Sequence, residues 1–298
     1  EDSEAVAGVI NRCISPVVQS CASHIQNGFV RGRQFTENIV KLDKEGRSHA
    51  MQFQNRNRKI RLDELICYNS KFCIADLPLL VLFDFAAAFP SVAHAWIFAV
   101  IHAIAMPTGL ANAIECLYDN NIGLMEVGGV MSVLFSVLCG VLQGCPLSGS
   151  LFVISIDPLL CMFNKYVQSC GKGTVGACAD DIGVALRRLA SLKIMHKIFK
   201  YFEGVAGLKL KPRKCILILT AVQANEQNAQ CVRRWLESQI PEWAELVVVN
   251  RGKYLGLYVG PITKDVQWKG ALNKFRDRVD KINRSSLPNQ LVQSEFNM

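Results

Sequence analysis

Three aspartates stand where the surrounding sequence offers them no partner. Asp180 and Asp181 are adjacent inside the apolar stretch GACADDIGVAL, residues 176–186, and Asp84 is the lone acid in LPLLVLFDFAAAF, residues 77–89. Burying a charge is costly unless it is paired or bound to a metal, and neighbouring carboxylates repel each other. Divalent cations answer both problems, because Mg²⁺ takes oxygen ligands from a few carboxylates together with substrate phosphates. Two such ions about 4 Å apart can activate an attacking hydroxyl and stabilise a leaving phosphate oxygen. The chemistry these residues suggest is therefore phosphoryl transfer. One acid in an apolar strand could be a paired structural group, but two such anomalies in one chain favour a shared metal site.

The acids need strands to carry them. LPLLVLFDFAAAF is a continuous apolar run bounded by Pro78 and Pro90, the pattern of a buried strand. GACADDIGVAL reads as strand, turn, strand, with the turn at Asp180–Asp181. Helices are expected over residues 4–25 (broken at Pro16), after the Gly-rich turn that carries Arg31 and Arg33, from about Ser91 to Ile104, from Leu110 to about Tyr118, over 149–168 and over 188–205. Residues 128–150 suggest one or two strands followed by a turn, and residues 245–261 suggest a hairpin. Beyond Pro261, Trp268, Leu272, Phe275, Val279 and Ile282 mark one face of a helix whose other faces carry Lys269, Lys274, Arg276, Arg278, Lys281 and Arg284. Such a charge run is either a solvated face or a nucleic-acid contact.

The chain has 298 residues, half of them hydrophobic, enough for a large core divided into two or three subdomains. A net charge of +8 fits nucleic acid or another anionic surface without proving either. The twelve cysteines show no zinc-ligand spacing and read as reduced, mostly buried and intracellular, in the cytoplasm or the nucleus. The most membrane-like run, residues 91–106, is too short to span and reads as a buried helix, so no membrane partner is expected.

Taken in order, several blocks resemble reverse transcriptases. FDFAAAFPSV is similar to motif A of that family, GVLQGCPLSGSLFVISIDPLL to motif B, CADD to motif C, GLKLKPRKC to motif D and KYLGLYVG to motif E. GFVRGRQFTENIV is similar to the fingers motif upstream of motif A. Each block is weak alone; six in the family's order, over about residues 11–260, are a specific signal. GCPLS and KYLG point to the LINE-type polyproteins of non-LTR retrotransposons, with group II intron enzymes the next nearest. The resemblance implies an α+β right-hand polymerase, its palm an antiparallel sheet backed by helices, its fingers helical and its thumb short and partial. Fingers would occupy 1–83, with an odd polar insertion at about 47–77, palm 84–260, and the start of the thumb 261–298.

It also implies residue roles. Asp84, Asp180 and Asp181 match the catalytic triad that holds two Mg²⁺ ions, with Mn²⁺ a possible substitute. Phe89, five residues after Asp84, matches the ring that excludes a ribose 2′-hydroxyl; plain core packing is the alternative. Gln143 and Gly144 match the motif B pair near the incoming nucleotide, and Lys214 a lysine that could protonate the leaving pyrophosphate. Arg33 matches the arginine expected to grip the triphosphate, with Arg31 a weaker candidate. Tyr254, Leu255 and Gly256 match the primer grip. Expected partners are an RNA template, a DNA or RNA primer and a dNTP, with no obligate protein partner indicated. Cys178 departs from the usual aromatic two positions before Asp180, which puts primer placement in doubt. Two other readings stand beside RNA-directed DNA synthesis. One is a decayed copy that keeps the fold and RNA binding; the other is an RNA-dependent RNA polymerase, which the bulk of Phe89 disfavours.

Overall fold

The computed structural model describes residues 2–57, 73–261 and 269–284. Its centre is strand β1 (Leu79–Phe83), whose five residues are all buried. Leu79, Val81 and Phe83 enter the main core, while Leu80 and Leu82 enter a second, smaller core with Ile39, Leu42, Tyr254 and Val259. A strand covered on both faces has no side to leave polar, which is why this run is uniformly apolar.

Helices α1 (Asp2–Cys21) and α2 (Phe35–Arg56) precede β1. α3 (Ala88–Ser91), α4 (His94–Ala103) and α5 (Thr108–Tyr118) follow it. Next come a hairpin of β2 (Ile122–Val127) and β3 (Val130–Ser136), helix α6 (Ser148–Phe163), and the pair β4 (Gly173–Cys178) and β5 (Asp181–Leu186). The chain continues through α7 (Leu192–Ala206), β6 (Ile216–Leu219), α8 (Glu226–Gln239), β7 (Val247–Val249), the β8 (Gly252–Tyr254) and β9 (Leu257–Val259) pair, and α9 (Lys269–Arg284).

The main sheet has the order β4-β5-β1-β6-β7. Four strands pair antiparallel as expected, but β7 joins β6 in parallel. A parallel neighbour needs a crossover, and α8, unmarked by any clear signal in the sequence, supplies it. Helix α6 packs through the core, with Leu151, Phe152, Ile156, Leu159 and Phe163 fully buried. Together with the π-helical turn Asn164–Gln168 it forms the one described helix long and apolar enough to cross a membrane, and most of its surface is covered by the rest of the fold.

Several expectations are corrected. α1 runs unbroken through Pro16. The stretch read as an insertion from Arg47 is helical to Arg56, and His49, Ala50 and Phe53 are on its buried stripe; most of the remainder lies outside the described residues. The β2–β3 hairpin buries no residue at all, although it is rich in valine, leucine and methionine. The cysteines are also less buried, and not all reduced: among the described residues seven of the ten free cysteines are exposed and only Cys215 is buried, and Cys231 is disulfide-bonded. α9 forms where periodicity placed it, with Leu272 and Phe275 exposed. Trp268 lies outside the described residues.

Candidate active site

The acids meet where β1 and β5 end side by side. Phe83 pairs with Ile182, so the next residue on each strand, Asp84 and Asp181, lies at the same edge of the sheet. Cys178 pairs with Asp181, which moves the turn to Ala179–Asp180. Ala179 has a φ of 55°. Left-handed backbone in a non-glycine residue costs of order 1–3 kcal/mol and persists only where the surroundings over-determine it.

Those surroundings are a set of buried amides. Gln26 Oε1 accepts from the N–H of Ala179 at 2.8 Å and of Gly28 at 2.7 Å, while its Nε2 donates to the Ala179 carbonyl at 3.3 Å. Asn38 Nδ2 donates to the Ala177 carbonyl at 2.7 Å, and Asn27 Nδ2 donates to Asn38 Oδ1 at 3.0 Å. Gly28 is required by proximity, since a Cβ there would lie 2.3 Å from the Ala179 nitrogen. Asp84 is held from the other side. Its N–H donates to Cys215 Sγ at 3.3 Å, and its carbonyl accepts from the Lys211 N–H at 2.9 Å. Burial pushes the Cys215 thiol up to about 11, so it remains a neutral thiol at this post.

The three carboxyls feel one another. The pKa of Asp180 is raised by burial and by the charge of Asp84; that of Asp181 is raised by burial, then by Asp180 and Asp84. Asp181 sits at the exposed rim and Asp180 is half-buried. Among the described residues no cation pairs with any of the three, so their charge is uncompensated. The oxygen-only donor set and this missing counter-charge fit hard divalent cations. No group of three acidic, histidine or cysteine side chains among the described residues is drawn tightly enough to form a closed ligand set.

The other candidates scatter. Phe89 is half-buried, stacked on Phe152 with centroids 4.3 Å apart and planes 11° apart, and edge-on to Phe29 at 6.1 Å. It also lines a cavity of about 510 Å³ with Phe29, Gln143, Gly144 and Ser148. Gly144 has a φ of 87°. Lys214 is exposed on the short 3₁₀ turn before β6.

Arg33 is the clearest departure. Its Nη2 donates to the Ala22 carbonyl at 2.9 Å, and its Nη1 donates to those of Gln26, at 2.7 Å, and Ser23. The fork expected to grip a triphosphate instead satisfies carbonyls just past the end of α1, which have no intrahelical donor. Arg31 is exposed, and its side chain has no partner among the described residues. Tyr254 is buried, with its hydroxyl 3.2 Å from the carbonyls of both Gly176 and Asp181, so it braces the acid turn from beneath. Leu255 and Gly256, at φ 48° and 88°, form the tight β8–β9 turn.

Sequence reasoning missed Gln26, Asn27, Asn38 and Cys215. Only Asn38 left a usable signal, a polar residue on the inner stripe that Ile39, Leu42 and Gly46 mark along α2.

Residues 9–259 match the family described as reverse transcriptase (RNA-dependent DNA polymerase). The chain is 28% identical over 205 residues to the retrovirus-related Pol polyprotein from type-1 retrotransposable element R2 of Bradysia coprophila, covering 66% of this chain and 23% of that protein. It is 26% identical over 177 residues to the corresponding type-2 element R2DM polyprotein of Drosophila melanogaster, covering 58% and 17%. The chain thus spans less than a quarter of these curated relatives. Among solved structures it resembles telomerase from Candida albicans in complex with a TWJ fragment of telomeric RNA, at TM-score 0.51 and 9% identity over 88% of this chain and 38% of that one. It is also similar to an apo telomerase of Candida tropicalis truncated from its C-terminal domain, at TM-score 0.50 and 12% identity over 84% and 43%. The shared architecture is the right-hand polymerase fold.

Proposed function

Since the chain belongs to the reverse transcriptase family, of the non-LTR retrotransposon type, we propose that it extends a primer 3′-hydroxyl with deoxynucleotides copied from an RNA template. The observation that carries this reading is the trio of uncompensated carboxyls, Asp84, Asp180 and Asp181, at adjoining strand ends. When bound there, divalent metal, Mg²⁺ or Mn²⁺, would neutralise phosphate charge and lower the pKa of an attacking hydroxyl. The rest of the work falls to the chain. Phe89 and Phe29 wall the cavity in which Gln143 and Gly144 would receive base and sugar. Arg31, in place of Arg33, would meet the triphosphate, and Lys214 would give a proton to the departing pyrophosphate. Leu255 and Gly256 would bear on the primer. Fingers, palm and thumb would divide at 83 and 260. Template and primer would bind mainly through phosphates, so affinity should fall with salt. An intracellular site of action is part of the same proposal.

A primer-extension assay on an RNA template with Mg²⁺ or Mn²⁺ tests the reading, with Asp180→Asn as the folded control. Deoxynucleotide extension by the wild type alone supports it. Failure of folded wild type to extend would identify an inactive copy, and preferential use of ribonucleotides an RNA polymerase.

A further inference from the structure

Gln26 has no exposed surface, and its carboxamide is spent wholly on backbone. One oxygen takes the N–H groups of Gly28 and Ala179, and the nitrogen returns to the Ala179 carbonyl. Two residues are left-handed where it acts: Ala179, at φ 55°, which it bonds directly, and Phe29, at φ 53°, next to the Gly28 it bonds. Neither is glycine, so neither holds that conformation unaided. The strand ahead of the turn is bound in the same way. The N–H of Asn27 donates to the Ala177 carbonyl at 2.8 Å, and that of Ala177 to the Ile25 carbonyl at 3.0 Å. One carboxamide therefore reaches both the turn that carries Asp180 and Asp181 and the residue before Phe29, whose ring meets Phe89 edge-on beside the cavity.

We propose that Gln26 is a positioning residue: it locks the Ala179 backbone so that Asp180 and Asp181 are presented to divalent metal, and the same carboxamide ties that turn to Gly28. The inference rests on the reading of Asp84, Asp180 and Asp181 as a metal site. An ordinary buried glutamine would be satisfied by one strand or one turn. Gln26 bridges to a segment 153 residues away, and the residue it binds there, Ala179, is left-handed. Groups that orient metal ligands from behind typically change metal affinity or activity about 10- to 100-fold when removed.

The test is Mn²⁺ binding to the full chain, followed by the paramagnetic resonance of the free ion. The proteins compared are the wild type, Asp180→Asn, Gln26→Met, and Gln26→Met combined with Ala179→Gly. Gln26→Met should weaken Mn²⁺ about 10- to 100-fold. The added glycine should recover much of that loss, because glycine adopts a left-handed backbone freely. Phe163→Leu, a core truncation on α6 at a residue with no hydrogen bond or ring contact to Gln26 or Ala179, supplies a destabilised control that should bind Mn²⁺ normally. If Gln26→Met binds as tightly as wild type, or if Phe163→Leu loses as much affinity at an equal drop in melting temperature, the positioning role is wrong. Should Gln26→Met fail to fold, Gln26→Asn, whose shorter side chain stays polar but cannot reach Ala179, must show a loss in the same direction, and unchanged affinity there overturns the proposal. Wild type that shows no Asp180-dependent Mn²⁺ binding overturns the metal-site reading itself, and this inference with it.

Discussion

Replacing Phe89 with alanine separates two roles that the structure lets one ring hold together. Its inner face stacks on the fully buried Phe152, and its outer side lines the cavity with Gln143 and Gly144. A fully buried Phe→Ala change costs about 3–5 kcal/mol. Phe89 is half-buried, so roughly 2 kcal/mol of that applies, and loss of the aromatic pair adds about 0.5–1.5 kcal/mol. At about 2–4 °C per kcal/mol for a chain near this size, the melting temperature should fall by about 5–14 °C. The gating role predicts something further. A packed wall resists an added group by about 1–3 kcal/mol, so removing it should raise ribonucleotide use relative to deoxynucleotide use roughly ten- to hundred-fold. Melting is read by calorimetry and the ratio by single-nucleotide extension. Phe152→Leu is the control, since it disturbs the stack from beneath without altering the cavity lining, and it should lower melting while leaving the ratio near that of the wild type. A Phe89→Ala protein that is destabilised but no less selective would refute the gating argument and leave Phe89 as a core residue.

Arg33→Ala strands the Ala22 and Gln26 carbonyls, while that of Ser23 keeps the Gln26 N–H, and should cost about 1–3 kcal/mol in denaturant melts, with no change in nucleotide KM once the folded fraction is equal. Arg31→Ala should raise that KM and leave stability unchanged; the reverse pattern would restore Arg33 to the site. Tyr254→Phe removes the hydroxyl under Asp181, so melting should drop by an amount equivalent to about 0.5–1.5 kcal/mol, and kcat should fall with KM little changed. His49 gives a pH signature. Burial and then the Arg187 charge lower its pKa from 6.5, against an opposing pull from Glu45. The unfolded chain takes up this proton first as pH falls, so stability is full above about pH 6.5 and declines below it, by at most about 1.4 kcal/mol per pH unit. His49→Leu should flatten that limb of the stability–pH curve.

Local pattern was enough to single out the acids and most of the elements that carry them. A buried strand announces itself by an unbroken apolar run, a helix by a stripe recurring near 3.6 residues, and a charge inside such a run by its cost. These are properties of neighbouring residues, so β1, the β4–β5 pair, α6 and α9 could be read without coordinates. The one-residue displacement of the acid turn could not, because the register is set by partners on other strands. Nor could the destiny of Arg33. A guanidinium fork suits a phosphate and a group of orphan carbonyls equally well, and only the fold brings the end of α1 within reach of it. Phe89 is legible as large and apolar, yet whether it faces core or cavity depends on where Phe152 and Phe29 come to lie. Gln26 was the least visible of all. It is an ordinary polar residue in a loop, and its partners at Ala179 lie 153 residues away. Periodicity is a local quantity, whereas the partner of a long polar side chain is whichever backbone the tertiary fold delivers to it.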